Sequence, residues 1–234
     1  MGTMLAYLVL VVPFIILGYW AQRRVSTTFQ TWSQVRSHSG RTGQEVARAI
    51  LDRNGLQNVP VQHTPGSLSD HYDPRKRTVN LSDDVFASNS VAAVAVAAHE
   101  VGHAIQHAKA YAPLAIRSAV FPAAAFGSSM FMPLFIAGIV FTAMGMVFGQ
   151  TIILIAIIAF SFSVLFQLVT LPVEFDASRR ARVQLQEMTL APVDGQEAVG
   201  TQKVLSAAAM TYVAAALASV AQLAYFAMQY LGNR

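Results

Sequence analysis

The sequence predicts a mostly α-helical integral membrane protein, with about four transmembrane helices and a small α+β domain on one side of the bilayer. Three observations carry this. Of the 234 residues, 54% are hydrophobic and only 12% charged, whereas soluble domains carry about 25% charged residues. Stretches 1–22, 118–173 and 204–233 contain no charged side chain, and about 20 apolar residues suffice to cross the hydrocarbon core. Finally, all 12 Asp and Glu, and every Lys and Arg except Arg234, fall in 23–117 and 174–203.

Segment 1–22 is read as transmembrane helix 1. It is an uncleaved anchor and not a signal peptide, because its basic residues, Arg23 and Arg24, follow the apolar run. The middle stretch is too long for one crossing and is punctuated at Gly149 and Gln150. Segment 119–172 is therefore a hairpin of helices 2 and 3, with spans near 124–148 and 151–171. Segment 204–234 is helix 4. Segments 23–118 and 173–203 then share one side of the membrane, and their basic residues make that side cytoplasmic, with both termini outside. Topology also accounts for the net charge of +4, so no nucleic-acid partner is expected.

Within 23–118, "RTGQEVARAILDRNGL" reads as a helix. Thr42 and Glu45 form a capping box, Val46, Ala47, Ile50 and Leu51 lie at helical spacing, and Gly55 is a C-cap. Two extended segments follow, "NVPVQHT" and "TVNLS", separated by the turn-rich "TPGSLSDHYDPRKR". "SNS" then offers an N-cap to a helix from about Val91 to Ala108.

That last helix contains His-Glu-x-x-His. His99 and His103 are one turn apart on one face, so two imidazoles can bind one tetrahedral Zn2+, with Glu100 beside them as a base. Cysteine is absent, so any such site is built from histidine and carboxylate. An apolar helix carrying two histidines and a glutamate without a partner for them would be costly. Gly102 fits close backbone approach, near a metal or in simple packing.

The third ligand must come from elsewhere. His107 continues the series, but three ligands along one straight helix converge poorly, so it is read as a rim or capping residue. His63 and His71 precede the second extended segment and can reach a site; His38, between serines, reads as a loop residue. Glu174 in "LPVEFDASRRARVQL" is the stronger candidate, with pairing to Arg179 or Arg180 as the plainer alternative. Asp176 competes, yet residues two apart on a helix point to nearly opposite faces. Glu174 is favoured because Ala177 and Ala181 extend its face with small residues. Asp176 is then a substitute ligand or a partner that orients a histidine.

"SDHYDPRKRTVNLS", "VAAHEVGHAIQHAKAYAPLAIRS" and "LPVEFDASRRA" together resemble the YugP-like family of bacterial membrane neutral zinc metallopeptidases. The layout is more distantly similar to HtpX-type and CAAX-processing gluzincins. The resemblance implies a zincin-like fold for 23–118, His99, His103 and Glu174 as zinc ligands, and Glu100 as general base. Distant relatives show Glu-x-x-Ala-Asp, whose Asp supports the site; the matching positions here are Glu174, Ala177 and Ser178.

The activity implied is zinc-dependent endopeptidase chemistry at the cytoplasmic face of the bacterial inner membrane. Its partners are protein or peptide substrates, membrane-embedded or unfolded, the lipid bilayer, and an adaptor or a further copy of the chain. His71, Tyr72 and Arg179 are of the right type to stabilise an oxyanion; their plainer roles are turn hydrogen bonding for the first two and headgroup contact for the third. Thr78, Val79, Asn80 and Leu81 form either an edge for an extended substrate or an ordinary sheet strand. The rival from another class is a protease-like scaffold or chaperone that binds without cleaving. A transporter would place ionisable residues within its spans, and 118–173 has none.

Overall fold

The computed structural model describes residues 2–232; Met1, Asn233 and Arg234, which the expected terminal segments include, lie outside the described residues. The elements in order are α1 (Gly2–Leu10), α2 (Val12–Ser33), α3 (Gly43–Arg53), β1 (Val61–His63), β2 (His71–Asp73), β3 (Thr78–Leu81), α4 (Asp83–Phe86), α5 (Val91–Ala108), α6 (Ala112–Ala143), α7 (Gly149–Glu187) and α8 (Gly195–Gly232). The protein is mostly helical, with a small α+β part. The chain divides into two compact units, one of Met1–Trp20, Ala115–Leu171 and Tyr212–Arg234, the other of Ala21–Leu114 and Pro172–Thr211.

The first unit is built of helices and the turns between them, without strand among the described residues. Four helices are long and apolar enough to cross a membrane: Met4–Ser33, Ala112–Ala143, Gly149–Glu187 and Gly195–Gly232. Helix α1 passes into α2 at Val11, near Pro13, whose missing N–H breaks the regular ladder. An aromatic cluster of Phe131, Phe226 and Tyr230 packs with Ile153, Ala156 and Ile157. Large apolar side chains such as Ile16, Phe126, Ile136, Ile155 and Ile158 face outward, a distribution suited to lipid and not to water.

The hairpin turns earlier than the expected break at Gly149 and Gln150. Helix α6 ends at Ala143, and Met146 N–H donates to Phe141 O while Gly145 N–H donates to Thr142 O. That is a Schellman closure, and it needs a left-handed residue at Gly145, where φ is 77°. Gly149 instead lets α7 approach α6: a Cβ there would sit 2.5 Å from Thr142 N.

The second unit carries the sheet. Thr42 and Glu45 form the capping box of α3, and Ser90 Oγ accepts from Ala93 N–H at the start of α5. Helix α3 packs on α5 through Val46, Ile50 and Leu51, which are fully buried with Val79, Leu81, Val85, Val91 and Val101. Each such side chain contributes about 1.5–3 kcal/mol. The strand order is β1-β3-β2, with β1 parallel and β2 antiparallel to β3.

One of two alternatives falls here, and one expectation is corrected. Thr78, Val79, Asn80 and Leu81 form the central strand, bonded on both sides, so β3 offers no edge to a substrate. The stretch read as turn chemistry contains β2, whose outer side is unpaired by strand. Asp73 ends β2 by accepting from the N–H groups of Arg75 and Lys76.

Candidate metal centre

Helix α5 presents His99 and His103 one turn apart, with ring centroids 4.9 Å from each other. Helix α7 brings Glu174 to them. Glu174 Oε2 lies 3.2 Å from His99 Nε2 and 3.5 Å from His103 Nε2. Tetrahedral coordination with bonds of about 2.0–2.1 Å separates ligand atoms by about 3.4 Å, so the three donors fit one zinc ion. All three residues are buried. Among the described residues, this is the group of three or more His, Asp and Glu side chains placed to hold a metal.

The close approach of the helices has a local cause. A Cβ on Gly102 would meet the backbone oxygen of Ala177 at 2.6 Å. Only glycine fits there, and Ala177, one turn past Glu174, is itself fully buried.

The outward nitrogens of both histidines are also engaged. His99 Nδ1 lies 3.1 Å from Ser178 Oγ, and His103 Nδ1 lies 3.0 Å from Gln106 Oε1. Gln106 Nε2 donates to Val173 O at 2.7 Å and to Asp176 Oδ2 at 3.0 Å. Asp176 also accepts from Arg179 and Arg180. Arg179 and Arg180, weighed as partners of Glu174, are thus the partners of Asp176, two residues on. Ser178 makes its contact with a hydroxyl.

Glu100 is buried next to the histidines. Burial pushes its carboxyl from the ordinary 4.5 up to about 7; His99 opposes the rise, Glu174 and Asp70 add to it, and the backbone N–H of Tyr72 opposes it. Asp70 accepts from the N–H and hydroxyl of Ser82, and burial raises its own carboxyl.

Sheet register explains why Tyr72 faces Glu100. Val79 gives its N–H to Pro60 O on the β1 side, so Tyr72, paired opposite Val79, turns its backbone groups to the outer edge of β2. Its hydroxyl lies 2.8 Å from His107 Nδ1. His71 is exposed, with Nδ1 2.9 Å from Ser69 O, and Arg179 is exposed beside Asp176. His63 contacts Asp83, and the His38 N–H donates to Glu197. None of these joins the metal-ligand group. Gln106 and the β2 edge have no counterpart in the sequence reading; the one available signal for Gln106 was an amide in a helix whose other polar side chains are Glu100 and the three histidines.

No solved structure matches the chain. The chain is 45% identical over 228 residues to the "Putative membrane protease YugP" of Bacillus subtilis (strain 168), covering 97% of this chain and 98% of the relative. Residues 7–231 match the family described as "Putative neutral zinc metallopeptidase". With a buried two-histidine, one-carboxylate donor set of zinc dimensions between its helices, the chain belongs to that zinc metallopeptidase family.

Proposed function

We propose that this chain is a membrane-embedded zinc endopeptidase that hydrolyses peptide bonds at the cytoplasmic face, with His99, His103 and Glu174 as ligands and Glu100 as general base. The observation that carries the reading is the convergence of His99 Nε2 and His103 Nε2 on one Glu174 oxygen, with a buried carboxyl at Glu100. Zinc held there would polarise the scissile carbonyl and acidify a water for attack at neutral pH. Glu100, with a carboxyl that titrates near neutrality, takes the proton of the attacking water and delivers it to the leaving amine.

The outer edge of β2 supports an extended substrate next to Glu100. Tyr72 directs its C=O from that edge, ready to accept from a substrate N–H. The Tyr72 hydroxyl, held by His107, is the favoured oxyanion partner among the residues considered, because His71 and Arg179 face solvent. A non-cleaving scaffold has no use for a buried general base, and holding Glu100 in the interior carries a desolvation cost.

Glu100→Gln separates the two readings. It is expected to retain zinc and lose cleavage of casein or of an unfolded membrane protein, and undiminished turnover would overturn the mechanism. Because the chain lacks cysteine, single cysteines report orientation. A cysteine replacing Lys76 should react with an impermeant maleimide only after cell lysis, and one replacing Val147, 94% exposed at the hairpin turn, should react in intact spheroplasts. The reverse pattern would invert the topology.

A further inference from the structure

Gln106 has no exposed surface, yet it is polar and lies on the same helix as both histidines. A buried amide persists where each of its polar atoms finds the right kind of partner. Its nitrogen lies 2.7 Å from the Val173 carbonyl, which only accepts, and 3.0 Å from an Asp176 carboxylate oxygen. That fixes the amide orientation and turns Oε1 to His103 Nδ1, 3.0 Å away. An amide oxygen only accepts, so His103 carries its proton on Nδ1. In the neutral ring Nε2 then keeps its lone pair, directed at the Glu174 side of the cluster.

His99 is held differently. Its Nδ1 meets the Ser178 hydroxyl, which donates or accepts as required and dictates no tautomer. The carboxylate reaches the other histidine, through an amide. Asp176 lies two residues from Glu174 on α7 and is clamped by Arg179 and Arg180.

We propose that Gln106, anchored by Asp176 and the Val173 carbonyl, is a positioning residue that presets the tautomer and ring orientation of His103 for zinc. The inference rests on the reading of His99, His103 and Glu174 as the zinc site. Outer hydrogen-bond partners of metal histidines are worth about 10–100-fold in metal affinity.

The test uses the full chain in detergent, with zinc affinity measured by competition against a chromophoric chelator and ligand geometry read from the visible bands of the cobalt(II)-loaded protein. Gln106→Leu is expected to weaken zinc binding by about 10–100-fold and to alter the cobalt bands. Asp176→Asn alone weakens it less. Gln106→Glu alone sets a carboxylate against the Val173 carbonyl and Asp176, and weakens binding. Gln106→Met, close to glutamine in volume but without its amide, is expected to weaken binding as Gln106→Leu does, a loss that a mere packing role does not produce. Gln106→Met decides the matter even where Gln106→Leu fails to fold.

Wild-type affinity and cobalt bands in Gln106→Leu or Gln106→Met would overturn the proposal. A wild-type chain that binds no zinc would overturn the reading of the site itself, which is a distinguishable result.

Discussion

Gly102 and Ala177 touch backbone to backbone: a Cβ on Gly102 would lie 2.6 Å from the Ala177 oxygen and 3.1 Å from its Cα. Gly102 precedes His103, and Ala177 is one turn past Glu174, so this contact sets the separation of the ligand-bearing helices. Neither obstructing atom belongs to a side chain that can rotate away. Gly102→Ala must move α5 from α7 at the metal centre. Overpacking of this kind costs about 1–3 kcal/mol, and the expected result is at least about tenfold weaker zinc binding, since each ligand site depends on placement. Gly18→Ala, with nothing within 4 Å of the added carbon, is the control. Equal zinc affinity in the two variants would show that the helices accommodate the methyl group without disturbing the ligands.

Zinc should stabilise the folded chain by mass action, because the three donors converge only in the fold. A ligand at about 100 times its Kd adds about 2.7 kcal/mol. Removing zinc with a chelator is expected to lower the melting temperature of the detergent-solubilised protein, and restoring it to raise the temperature in a zinc-dependent way. Glu174→Ala should abolish the zinc response, whereas Asp176→Asn should keep a reduced one. A full response in Glu174→Ala would remove Glu174 from the ligand set.

Glu100 makes the stability of the metal-free protein depend on pH in a defined direction. Its carboxyl titrates near 7 in the fold against 4.5 ordinarily, so the fold retains a proton that the unfolded chain releases. Stability therefore falls as pH rises from 4.5 to about 7 and levels off above that. The full effect is about 3 kcal/mol. Glu100→Gln, which stays neutral, should raise the melting temperature of the metal-free protein at pH 8 and barely change it near pH 4.5. An equal effect at both values would mean that the buried charge is not the cause.

What the sequence made legible was local. The Thr42 and Glu45 capping box, the Val91–Ala108 helix and the four apolar segments each rest on neighbouring residues or on simple periodicity. Helical geometry likewise separates Glu174 from Asp176, whose side chains take different partners. Strand β2 escaped because it is three residues long, between a loop and the Asp73 turn, and its identity depends on pairing with β3. The hairpin closure was displaced because glycines stand at both 145 and 149; one supplies a positive φ and the other a close helix contact. No local pattern says that the Gln106 amide points at Asp176, seventy residues away.

The outer edge of β2 gives a prediction about substrate backbone instead of side chains. Tyr72 turns its C=O away from β3, and a substrate strand paired there would donate one backbone N–H to it. A single such bond contributes about 0.5–1.5 kcal/mol. In a series of cleaved peptides, each N-methylated at one position near the scissile bond, one position should raise KM by about 2- to 12-fold with little change in kcat. Methylation at residues whose N–H faces away from the edge should have no such effect, because extended strands alternate their donors. A flat response along the series would mean that the substrate does not pair with β2, and that side-chain contacts hold it instead.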